Sequence, residues 1–277
     1  MARVPSVVLA LLSASLLALF VLPIVAIATY VPFSQILAVA SDPAVEASLE
    51  FTLLASGIAL ALAVFLGVPL GYVLARRRFP GHALVESVVT LPVVLPHLVA
   101  GLALLFLFAP EAPLGAFADR MGFPVVSTIW GVVLVMAYVG GAYTVLATAE
   151  AFRAIDPELL ETARTLGASR GDVFLSVTFP LAFRGILTGA LLTWARSVSE
   201  IGGLLILAYT VVPSPPYGGP VTQPITVYVY NLYALGDTSA ALAVSSLLIL
   251  VSFALFLAVR LLEARGRMPW RGRVLVP

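Results

Sequence analysis

The chain has 277 residues, 61% hydrophobic and 10% charged, with a mean hydropathy of +1.09. Soluble domains carry roughly 25% charged residues, so 15 basic and 14 acidic side chains leave most of this surface to be solvated by lipid, which excludes a soluble globule. A net charge of +1 and the absence of Cys exclude a strongly basic nucleic-acid surface, disulfides and thiolate metal sites. A membrane β-barrel would alternate apolar and polar residues over segments of about 10. The apolar runs here are continuous, as expected of helices, whose backbone groups are bonded internally in lipid.

A helix needs about 20 apolar residues to cross the bilayer core. That requirement is met near 7–29, 49–75, 84–109, 125–148, 182–210 and 238–262, which predicts an all-α polytopic protein with six transmembrane helices. The first run, after Arg3, exceeds the core of about 7–15 residues found in signal peptides, and is read as a retained span. The second could begin near Ala44, with an amphipathic lead-in carrying Glu46 and Glu50.

The third span carries Glu86, Thr90, Pro92, Pro96, His97 and Gly101. Each proline of LPVVLPHLVAG removes a backbone donor and disturbs the helix around the carbonyl four residues back. A broken helix is tolerated in a membrane only where it is buried in protein or lines a cavity. Residues 90–101 are therefore a pathway or gate candidate, with Thr90, Pro92, Pro96 and His97 as its members. His97 is either a packed hydrogen-bonding group or a ligand.

After the fourth span comes a charged insertion at 150–181, in which AFRAIDPELLETARTLGAS reads as two short helices. Asp156 is placed to cap the first, Pro157 suits its first position, and Glu158 and Glu161 favour the positive end of its dipole. Leu159, Leu160, Ala163 and Leu166 form its apolar face, and Gly167 ends it. Ser169 or Asp172 starts the second, which carries Val173, Phe174 and Val177, and Pro180 is expected to break the chain before the next span. An interfacial anchor would be mostly basic, whereas this elbow carries both signs of charge and points to a protein partner.

In the fifth span, WARSVSEIGG places Arg196 and Glu200 four residues apart, on one helix face where they could pair. The pair either neutralises itself for burial or marks the transport pathway, with Ser197, Ser199, Gly202 and Gly203 beside it. The sixth span ends in RLLEARGRMPWRGRVLVP, short, basic and Trp-bearing, which suits interfacial anchoring.

Six spans place both termini on one side, together with Arg3, Arg76, Arg77, Arg78, Arg153, Arg164, Arg170, Arg184, Arg260, Arg265, Arg267, Arg271 and Arg273. The opposite side holds Arg120 alone. By the positive-inside rule, both termini and the 150–181 insertion are cytoplasmic.

The order Glu161, Ala163, Gly167, Val177, Phe179, Pro180 resembles the EAA loop of ATP-binding-cassette importer permeases. That loop reads Glu-Ala-Ala, three residues, Gly, nine residues, Ile, one residue, Leu-Pro. Glu161, Ala163, Gly167 and Pro180 are in register, while Thr162, Val177 and Phe179 depart from it. The resemblance covers essentially the whole chain. It implies a type I importer permease fold in a single domain over 1–277, with the loop at 150–181 supplying cytoplasmic coupling helices between spans four and five. It also implies that Glu161, Ala163, Leu166, Gly167, Ala168, Val173, Phe174 and Pro180 form the ATPase-coupling region.

LPVVLPHLVAG and ARSVSEIGG are similar to the corresponding segments of molybdate, tungstate and sulfate permeases, in the second of which Ala-Arg-x-x-Gly-Glu-Phe-Gly-Ala is usual. Arg196, Glu200 and Gly202 match; Ser199, Ile201 and Gly203 replace Gly, Phe and Ala. The likeness implies a pathway or gate containing Thr90, Pro92, Pro96, His97, Arg196, Ser199, Glu200 and Gly202, and a tetrahedral oxyanion as cargo, tungstate or molybdate ahead of sulfate. It implies a homodimer in the cell membrane, two cytoplasmic ATP-binding subunits and an extracellular or periplasmic solute-binding protein. ATP and Mg would sit on the partner ATPase, since the chain has no lysine for a phosphate-binding loop and shows no catalytic or metal constellation. A permease for thiamine, ferric ion or another small solute, and an ion-coupled secondary transporter, are the alternatives.

Overall fold

Apolar runs in lipid fold as helices because no water is present to bond their backbone. The computed structural model describes residues 6–264. Among them, five helices are long and apolar enough to span a bilayer, or up to six if a sharply bent pair counts as one span.

The described residues divide into two units, 6–46 with Val229–Ala254, and Ala47–Tyr228 with 255–264. The first contains α1 (Ser6–Tyr30) and α2 (Phe33–Ala40). It also holds the beginning of α3 (Pro43–Arg76), the end of α12 (Ile225–Ala234) and most of α13 (Thr238–Ala264). Its core is Val31, Ile36 and Ala243, with Val39, Leu242 and Leu247 packed against them. Gln35 Nε2 donates to Ser239 Oγ at 2.6 Å, tying α2 to α13.

The second unit carries the rest of α3, then α4 (His82–Val94), α5 (His97–Phe108), α6 (Pro113–Arg120), α7 (Ile129–Arg153) and α8 (Pro157–Thr165). There follow α9 (Arg170–Val173), a π-helical turn at Phe174–Thr178, α10 (Phe179–Val198) and α11 (Gly202–Leu207). Phe51, Ala55 and Ala59 of α3 share a core with Ile129, Val132 and Met136 of α7 and with Leu204 and Leu207 of α11.

Lipid tails are as apolar as Leu, so helices in a membrane associate through close packing and interhelical hydrogen bonds. Both are present between α7 and α10. A Cβ on Gly189 would lie 2.8 Å from Ala147 Cβ, and one on Gly185 would lie 2.4 Å from Ala151 Cβ. The buried Thr144 and Thr193 hydroxyls are 2.7 Å apart, and Thr193 Oγ1 donates to the Gly140 carbonyl at 2.8 Å.

The structure moves the fourth and fifth spans along the chain. Thr128 accepts a bond from Trp130 N–H and caps α7, which therefore starts at Ile129 and continues through Arg153. The fifth span was expected at 182–210, but its helix runs from Arg170 to Val198 and α11 stands apart. Pro180 does not break the chain. It occupies the first turn of α10, and the preceding turn widens so that Phe179 N–H reaches the Phe174 carbonyl, five residues back. That wider turn absorbs the donor and the space the proline ring removes. The second helix of the elbow is thus the root of span five.

The elbow follows its local capping chemistry. Asp156 accepts from Glu158 N–H at 3.0 Å, with Pro157 at the start of α8. Gly167 adopts φ +90°, a left-handed conformation costly for residues with a Cβ, and Ala168 N–H closes the turn on the Ala163 carbonyl at 3.1 Å. Ser169 and Asp172 then form a reciprocal capping box at the start of α9. Asp156→Ala is expected to weaken α8 by about 1 kcal/mol. Hydrogen exchange at Glu158 should speed up while α7 amides keep wild-type protection.

Candidate functional site

The site grows from two helix breaks in the second unit. The first separates α4 from α5, which are bent by 114°. Leu95 takes an extended ψ of 136°, as a residue preceding proline prefers, and Pro96 cannot donate back to α4. His97 is thereby placed at the start of α5. The second break follows Val198, where Ser199–Ile201 leave the helix before α11 begins.

Glycines bring α5 and α11 into backbone contact. A Cβ on Gly101 would lie 2.7 Å from Gly203 Cα, and one on Gly202 would lie 2.7 Å from His97 Cβ. This approach unites three ionisable side chains. Arg196 Nη2 donates to Glu200 Oε2 at 2.5 Å and lies against the His97 ring, 2.8 Å from Nε2 and also bonded to Nδ1. His97 Nδ1 is 3.3 Å from Glu200 Oε2.

Glu200 is fully buried, whereas the Arg196 and His97 side chains are 18% and 37% exposed. Its other oxygen accepts from Gly203 N–H at 2.8 Å. Its backbone carbonyl accepts from Thr226 Oγ1 at 2.6 Å. Burying a carboxylate without partners is costly, and the pairing and hydrogen bonds here offset that cost. Ser199 Oγ lies 3.3 Å from Arg196 Nη1 on the exposed side.

Of the pathway residues named from sequence, the structure therefore assembles His97, Arg196, Ser199, Glu200 and Gly202, with Pro96 setting the break. Thr90 and Pro92 lie on α4, where Thr90 Oγ1 donates to the Glu86 carbonyl of its own helix at 2.8 Å and Pro92 is buried within the helix. Gly101, at the end of the 90–101 stretch, and Gly203, beside the ion pair in sequence, complete the site, and Thr226 joins them without having been singled out. Thr226 lies 26 residues beyond Glu200 and carries no local signal.

At the elbow, Leu166 is 83% exposed and Glu161 is exposed, while Ala163 and Ala168 are half-buried. Val173 is buried, and the Phe174 ring stacks edge-on against Tyr72 at 5.3 Å. Tyr72 also meets Phe152 at 5.0 Å. The base of the elbow is fastened by ion pairs: Arg153 bonds Glu86 and Glu150, each at 2.7 Å, and also the Leu74 carbonyl at 3.4 Å. The acidic member of span three, Glu86, is thus paired away from the Arg196 cluster.

A broken span beside a buried ion pair, in a chain with five or six apolar spans, suits a membrane permease. Residues 67–268 match the family of binding-protein-dependent transport system inner membrane components, and the chain belongs to that family. Among its relatives is the molybdate/tungstate transport system permease protein WtpB of Thermococcus kodakarensis, 36% identical over 225 residues and 81% of each chain. Another is a probable molybdenum ABC transporter permease of Haloferax volcanii, 34% identical over 94% of this chain and 90% of its own. The fold is also that of a bacterial alginate ABC transporter chain solved with an alginate-bound periplasmic protein. The TM-score is 0.67 at 17% identity, covering 92% of this chain and 94% of that one.

Proposed function

We propose that this chain, as one permease domain, forms the membrane pathway of an ATP-driven importer for a tetrahedral oxyanion, tungstate or molybdate ahead of sulfate. The observation that carries the cargo is the similarity, over most of both chains, to a permease named for molybdate and tungstate. A guanidinium reaching partly exposed space beside a hydroxyl suits such an anion, because Arg matches tetrahedral oxyanions with directed N–H bonds.

In this reading two copies enclose one central pathway, with both termini and the elbow in the cytoplasm. His97, Arg196, Ser199, Glu200 and Gly202 belong to the pathway or its gate, and Thr90, Pro92 and Pro96 shape the broken span leading to it. Two ATPase subunits, holding ATP and Mg, dock on the elbow through Leu166, Ala168 and Glu161. Ala163 and Gly167 shape its turn, and Val173, Phe174 and Pro180 root it in span five. ATP-driven closure of the partners draws the elbows together and rocks the spans, exposing the pathway alternately to each side. A binding protein outside the cell delivers the cargo.

The test is uptake of labelled molybdate and tungstate by liposomes containing the permease with its ATPase and binding protein. Uptake is expected to require the external binding protein and ATP on the elbow side. An assembled, ATP-hydrolysing complex that ignores oxyanions and is stimulated by thiamine or ferric ion would sink the cargo assignment.

A further inference from the structure

We propose that Glu200 is a counter-charge that limits how tightly Arg196 holds the passing anion, while itself staying out of reach of the cargo. The inference rests on the oxyanion-importer reading and assigns a distinct duty to each member of the cluster.

Both oxygens of Glu200 are engaged within the protein. Oε1 accepts from Gly203 N–H at 2.8 Å and Oε2 from Arg196 at 2.5 Å, with the His97 ring 3.3 Å away. The side chain is wholly inaccessible, and the backbone carbonyl is held by Thr226. Access belongs to its partners. His97 and Arg196 are partly exposed, and the exposed Ser199 lies beside Arg196 Nη1. Arg196 therefore places one nitrogen on the carboxylate and the other beside the exposed Ser199, on its partly exposed side.

This polarity has a kinetic meaning. A transport site must bind strongly enough to admit its cargo and weakly enough to release it. A guanidinium without a counter-charge, in surroundings less polar than water, would hold a dianion by unscreened attraction. In a homodimer two such groups would face one anion. The buried carboxylate subtracts from that field without blocking the path. Plain neutralisation does not require this arrangement, since a buried ion pair can often be exchanged for apolar residues without loss of stability.

The two roles diverge in Glu200→Gln, which removes the charge and nearly preserves the shape. Equilibrium binding of labelled tungstate to the purified permease–ATPase complex, without binding protein, should tighten about tenfold. Turnover of uptake in liposomes should fall by a similar factor because release becomes slow. In Arg196→Gln/Glu200→Gln the gained affinity should disappear. A folded Glu200→Gln complex with unchanged or weaker tungstate binding overturns the proposal. Should Glu200→Gln not accumulate, the comparison passes to Arg196→Gln and the double variant, with uptake measured per inserted complex. Arg196→Gln leaves the carboxylate uncompensated and should nearly abolish uptake; the double variant should recover about tenfold. Equal loss in both overturns the proposal. Failure of the cargo reading looks different, because then the wild-type complex with its binding protein imports neither tungstate nor molybdate.

Discussion

Gly101→Val is expected to reduce transport to below about 1% of wild type while the permease still inserts. The first atom of the new side chain would lie 2.7 Å from Gly203 Cα and 2.8 Å from Gly203 O. Both are backbone atoms, so no rotamer change relieves the clash and α5 must move away from α11. Overpacking of this kind costs about 1–3 kcal/mol, which a membrane domain can survive. The site is less tolerant. His97 rides on α5, and the Gly203 N–H that holds Glu200 rides on α11, so separating the helices pulls apart the groups around the carboxylate. Uptake in liposomes and thermal unfolding of the purified complex provide the two readouts. Gly57→Ala, at a position with nothing within 4 Å of the added carbon, is the control and should leave both unchanged. Normal transport by Gly101→Val would show that the crossing does not hold the site together.

Leu166→Asp is expected to uncouple the permease from its ATPase. A Leu that is 83% exposed at a capped turn contributes little to this chain's own folding, so unfolding should shift by less than about 0.5 kcal/mol. At a docking surface the same side chain is an apolar anchor, and an aspartate there would be desolvated without a partner. Losses of 2 kcal/mol or more are usual for such anchors, a reduction in affinity of about thirtyfold. Co-purification of the ATPase and the stimulation of its hydrolysis by loaded binding protein should both collapse. Retention of both in Leu166→Asp would place the docking surface elsewhere.

The elbow was legible in the sequence because capping is local chemistry. Asp156 before Pro157, Gly167, and Ser169 three residues before Asp172 each specify a turn within a few residues, and each cap forms. The break in span three was legible for the same reason, though not its position. Both prolines were expected to free carbonyls, yet α4 passes through Pro92 and the chain turns at Leu95–Pro96. Span five misled because hydropathy responds to composition and not to termination. The apolar IGGLLILAY after Glu200 extended the window to 210, whereas the long helix ends at Val198 and a separate short one begins at Gly202. Charges at 170–172 concealed its true beginning. The Arg196–Glu200 pair could be read from a spacing of four. The addition of His97, 99 residues from Arg196, could not, since it depends on two glycine-mediated backbone contacts between distant segments.

The unbroken run from Arg170 to Val198 has a mechanical corollary. At about 1.5 Å per residue, it places Arg196 about 40 Å along a single rod from the capping box at Ser169. With a fulcrum at one end, a tilt of about 5° would sweep the other through about 3 Å. That is the length of a hydrogen bond. A nudge too small to unfold the elbow is therefore large enough to make or break the contact with a solute proposed for Arg196 at the rod's far end.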